Sequence, residues 1–113
     1  MLNEITQEKI QNVFYSEAPY DYVLEFVNRK PKTVAGICHW GQKIVEVYTQ
    51  QPYDNILFTI LHEIAHANMS NVTQTHSEVW EQEFVRLLKK YNVSKKAANH
   101  FVIGHNIREW MNV

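Results

Sequence analysis

The chain has 113 residues, 45% of them hydrophobic and 20% charged, with three glycines and three prolines. That length fits one domain spanning 1–113 and leaves no room for a second folded unit with a linker, and the composition excludes disordered, collagenous and low-complexity sequence. Eleven Lys and Arg against twelve Asp and Glu give a formal charge of -1, which argues against a strongly basic nucleic-acid binder.

The first nine residues are polar and mixed in charge, with no basic stretch leading into an apolar core, so no signal peptide is expected. No apolar run approaches the ~20 residues that span a bilayer. A cytoplasmic protein without a membrane partner is the expectation. Ile5, Ile10, Val13 and Phe14 recur near helical spacing between Asn3 and the break at Pro19, which predicts a short first helix. Residues 22–27 are mostly β-branched, aromatic or Leu and predict a strand closed by turn formers at 28–31. Two further strand-like runs, 33–40 and 43–49, flank Gly41 and Gln42, and glycine in that place suits a type II′ hairpin turn. Three antiparallel strands follow from this pattern. Cys38, in the first of these runs, is the only cysteine. It rules out an intramolecular disulfide or a cysteine zinc ribbon, so any metal must rely mainly on His and carboxylates.

Pro52 ends the sheet, and Asp54 is the expected N-cap of a helix carrying Ile56, Leu57, Phe58, Ile60, Leu61, Ile64 and Ala65. A helix apolar around most of its circumference is buried on several sides, so the polar residues within it, His62, Glu63 and His66, need partners. After a mostly polar loop at 68–74, the run Thr75, His76, Ser77, Glu78 fits a capping box. The helix it opens presents Trp80, Phe84, Leu87, Leu88 and Tyr91 as a core-facing stripe. The tail holds two candidate short helices, 93–99 and 106–111, with Gly104 between them.

Residues 62–66 read His-Glu-Ile-Ala-His, the HExxH pattern. Two residues four apart stand only ~40° apart around a helix, so both imidazoles leave one face, one turn apart, and can grip one ion. Zinc suits such a pair because it takes imidazole nitrogen and a tetrahedral arrangement of three protein ligands and a water. Glu63 lies about 100° round from His62 and is placed to act as general base without being a ligand. Shuffling this composition would give the pattern in roughly 2% of sequences, and its position in the most buried helix makes coincidence weaker still. The third ligand must come from elsewhere. His76, one turn before Trp80, is the first choice, with Glu83 and then Glu78 as carboxylate rivals. His39, His100 and His105 have no companion spacing and read as surface or packing residues.

With residues 61–67 followed by Thr75, His76, Ser77, Glu78, Val79 and Trp80, the chain resembles the SprT-like (Spartan-type) zinc metallopeptidases, which carry HExxH and a downstream H-G-x-x-[FW]. Residues 34–38 and 44–48 are similar to the hairpin ahead of the active helix there, and the likeness covers about 20–90. It implies an α+β, minimal zincin-like domain in a small stand-alone form of the phage and bacterial kind. In it, a three-stranded antiparallel sheet packs on the HExxH helix and the helix that follows. His62, His66 and His76 would hold one Zn2+ per chain, and Glu63 would be the catalytic base. Two departures stand out: Ser77 replaces the usual Gly, and the cysteine-rich ribbon of longer members is missing.

The expected activity is hydrolysis of peptide bonds in protein substrates. The strand at 43–49 is the expected edge for pairing with an extended peptide, with Trp40 and Tyr48 as candidate cleft residues. The basic cluster Arg86, Lys89, Lys90, Lys95 and Lys96 is weak support for DNA, since cations near a helix C-terminus are favoured by its dipole alone. The competing readings are a non-catalytic zinc-binding adaptor and a nucleic-acid-associated domain.

Overall fold

The computed structural model describes residues 3–69 and 78–93. Six elements occur in the order α1 (Glu4–Glu17), β1 (Val23–Val27), β2 (Gly36–His39), β3 (Ile44–Tyr48), α2 (Tyr53–Asn68) and α3 (Glu78–Lys90). The expected capping-box residues 75–77 and the tail segments after 93 lie outside the described residues.

α1 starts because the Asn3 side chain accepts a hydrogen bond from the Thr6 amide at 2.8 Å, which satisfies one of the orphan donors of the first turn. It ends at Ala18, since the residue before Pro19 is pushed out of helical geometry. Ile10 and Phe14 are fully buried, while Ile5 falls outside the packed stripe and is 69% exposed.

The sheet is mixed, not antiparallel as the strand pattern suggests. Its order is β1-β3-β2: β2 and β3 form the expected antiparallel hairpin, but β1 pairs parallel to β3, with Val23 opposite Ile44 and Val27 opposite Tyr48. The eight residues 28–35 between β1 and β2 explain the difference. They are too long for a tight turn, and they let the chain cross over so that the most β-branched strand, β3, takes the centre with Val45 and Val47 fully buried. The β2–β3 turn also departs from expectation. β2 ends at His39, so the loop has four residues, and Lys43 rather than Gly41 takes the left-handed backbone, at φ 57°. Lys43 holds that conformation with its carbonyl accepting from the Val23 amide at 3.0 Å and its ammonium paired with Asp21.

The N-cap of α2 is Pro52, whose fixed φ of -60° leads the chain into the helix. Asp54 therefore sits inside the first turn, where its charge complements the helix dipole without capping. Eleven of the sixteen residues of α2 are buried, because the helix packs against β2 and β3 on one side and α1 and α3 on others. One cluster joins Phe14, Leu24, Val45, Ile60, Ile64 and Phe84. Among the described residues, no helix is long and apolar enough to cross a membrane.

The α1–α3 contact is polar at its end. Glu17 accepts from the Tyr91 hydroxyl at 2.6 Å and from Arg86 at 3.3 Å, and pairs with Lys90. Burial pushes the Glu17 carboxyl up, but the bonds from Lys90, Tyr91 and Arg86 outweigh it and hold the group below its ordinary value.

Candidate metal centre

Helical geometry decides which side chains meet. His62 and His66 leave α2 one turn apart, their ring centroids separated by 4.8 Å. One donor atom from each of His62, Glu63 and His66 lies within 4.8 Å of the others. Two of the three are buried, Glu63 at 7% and His66 at 9% exposure, and a polar group so placed must be partnered to be tolerated. The His62 Nδ1 and Glu63 Oε2 atoms are 2.7 Å apart. With the proton on Nδ1 donated to that carboxylate, the ring's lone pair sits on Nε2, one of the two ring nitrogens through which histidine can ligate a metal.

Aromatic residues fix both rings. Trp80 stacks on His66 with centroids 5.0 Å apart and meets His62 edge-on at 5.0 Å, while Phe84 stands perpendicular to His62 at 5.3 Å. The stripe on α3 that the sequence marks as core is thus the wall behind the imidazoles. From the opposite side, Trp40 leaves the β-ladder so that its Nε1–H donates to the His66 carbonyl at 2.9 Å. That bond ties the β2–β3 turn to the last turn of α2.

In front of Glu63 lies a cleft of about 290 Å³, lined by Val34, Ile37, Cys38 and Trp40 together with the HExxH side chains. It adjoins a second cavity of about 240 Å³ that reaches Thr33, Ala35 and Thr59. Gly36 borders both. A Cβ there would stand 2.7 Å from the Glu46 carbonyl oxygen and 2.7 Å from the Thr59 methyl, so only glycine lets β2 lie this close to α2. Burial, aided by the Glu63 carboxylate, pushes the Cys38 thiol up to about 12, which keeps it protonated at neutral pH.

Among the described residues, the group able to hold a metal ion is His62, Glu63 and His66. The paired imidazoles fit a borderline ion such as zinc, with the Glu63 carboxylate beside them. His76 lies outside the described residues, as do the side chain of Glu78 and His100 and His105. Glu83 is described and directs its oxygens elsewhere, accepting from Asn68 at 2.6 Å and from Arg86 at 2.7 and 3.0 Å. Burial raises its carboxyl, and Arg86 and Asn68 more than offset this, so the group is held below its usual range. His39 pairs with Glu46 across the sheet. Of the basic cluster, Arg86 and Lys90 bind the carboxylates of Glu17 and Glu83, and Lys95 and Lys96 lie outside the described residues. Tyr48, a candidate for the cleft, borders a different concavity near Arg29. The sequence gives Gly36 and Thr59 no functional signal, because their importance arises only where β2 meets α2. No protein-family model, curated protein or solved structure matches this chain.

Proposed function

We propose that this chain is a zinc-dependent metallopeptidase of the SprT-like kind, zincin-like in fold, hydrolysing peptide bonds in protein substrates with Glu63 as general base. The observation that carries the reading is that His62, Glu63 and His66 converge at the wall of a cleft bounded on its other side by β2. His62 and His66 would hold the ion, with His76 proposed as the third protein ligand that a tetrahedral site with one open position needs. A divalent ion held there supplies Lewis acidity toward water and toward a carbonyl oxygen. The Glu63 carboxylate would take a proton from the attacking water and deliver it to the departing amine nitrogen. Its burial keeps competing solvent from the carboxylate.

Substrate pairing moves to another strand than the one expected from the sequence. β3 is hydrogen-bonded on both sides and has no edge to offer. β2 is an outer strand of the sheet and lines the cleft, so an extended peptide would add to it through backbone bonds, which tolerate many sequences. Val34, Ile37 and Trp40 make the adjoining wall apolar, suited to a hydrophobic side chain beside the scissile bond.

Incubation of zinc-loaded protein with an unfolded protein substrate, with and without single-stranded DNA, tests the reading. Cleavage by the wild type and none by Glu63→Gln at equal zinc content is expected. Zinc binding with no cleavage under either condition would instead mark a non-catalytic zinc-binding adaptor.

A further inference from the structure

The cleft beside Glu63 continues past Thr59. Thr33 and Val34 are shared between the second cavity and a third concavity of about 160 Å³, whose other walls are Arg29, Lys30, Lys32 and Tyr48. The three cations are exposed, and among the described residues no carboxylate is paired with any of them. The Arg29 guanidinium lies 5.5 Å over the ring of Tyr48. Stacking there keeps the charge at the pocket wall without neutralising it. In a chain of formal charge -1 this is a local concentration of positive charge, at one end of a groove that starts at the HExxH side chains.

We infer that this pocket receives a carboxylate side chain of the bound polypeptide, so that the site selects substrates bearing Asp or Glu on the side of the scissile bond nearer residues 28–35. The inference rests on the peptidase reading for its substrate, and on charge and continuity for its place. A chain paired with β2 and extended toward its N-terminal end leads into residues 33 and 34, the shared rim of the two cavities. Charge at such a rim steers and selects more than it tightens. A phosphodiester backbone fits the same pocket poorly. Nucleic-acid affinity comes from a stripe of cations neutralising many phosphates, whereas these three surround one small concavity.

The test compares short fluorescein-labelled peptides that share an apolar centre and carry Asp and Glu, Ser, or Lys on one flank, together with a single-stranded oligonucleotide of matching charge. Binding to zinc-loaded full-length Glu63→Gln protein is read by anisotropy, and cleavage by the wild type is read separately. The acidic peptide is expected to bind about tenfold more tightly than the neutral one at low salt, as two or three exposed ion pairs allow. Lys30→Glu/Lys32→Glu should erase or invert that preference while leaving the neutral peptide unchanged. This double variant spares the Arg29–Tyr48 contact, and an unaltered circular dichroism spectrum checks its fold. Equal binding of the three peptides, a preference untouched by the double variant, or an oligonucleotide that displaces the acidic peptide would overturn the inference. Cleavage without charge preference would overturn it and leave the peptidase reading standing. Charge-selective binding without cleavage would do the reverse.

Discussion

At the scale of single residues, side chains that a composition would treat alike have unequal roles. Glu63→Gln keeps the shape of the site and removes the proposed base, so on the peptidase reading cleavage should fall by about 10²–10⁴-fold with zinc content unchanged. Trp40→Phe keeps an aromatic ring but loses the donor to the His66 carbonyl. Leaving that carbonyl one bond short should cost about 1 kcal/mol, read as a lower urea midpoint. Cys38, with its thiol pushed up to about 12 by burial and by Glu63, should resist alkylation at pH 8 in the folded protein and react at once in denaturant. The HExxH side chains were legible because helical spacing alone puts them on one face. Trp40 was only half legible: its place beside the cleft could be suspected from the turn, but its bond to the end of α2 joins residues far apart in the chain.

At the scale of elements, the helices were the easiest to read and the sheet the hardest. The apolar run of α2 and the stripe of α3 state their own periodicity, so their existence and facing followed from side chains alone. Strand pairing depends on what lies between the strands, and residues 28–35 carry no mark of whether they turn back or cross over. Consecutive strands are neighbours only about two-thirds of the time, and β1 belongs to the remainder. Where β2 meets α2, Gly36→Ala should shift the strand from the helix, costing about 1–3 kcal/mol and lowering cleavage while zinc is kept. The α1–α3 clamp has a pH signature. The Glu17 carboxyl titrates lower in the folded chain than its ordinary value of 4.5, so its contribution is complete above that value and is lost as pH falls through the lower, folded one. Urea midpoints should therefore drop on acidification below pH 4.5, and Glu17→Gln should start lower at neutral pH and lose less.

At the scale of the whole molecule, the fold brings one helix, one outer strand and one turn around a cleft whose chemistry none of them holds alone. The α+β class was legible because the strand-like runs come together, ahead of the two strongly helical patterns. The cationic pocket was not, because Arg29, Lys30 and Lys32 acquire a common concavity only when residues 28–35 cross the sheet and place Tyr48 beneath them. A metal gripped by the folded chain adds to its stability by mass action, so a chelator should lower the melting temperature of the wild type and leave His62→Ala unmoved. The most direct test of the central claim is the metal content of protein purified without a histidine tag. One zinc per chain is expected, lost in His62→Ala and in His66→Ala and retained in Glu63→Gln; a wild type that binds no divalent ion, or zinc that survives both histidine substitutions, would contradict a metal centre on this helix.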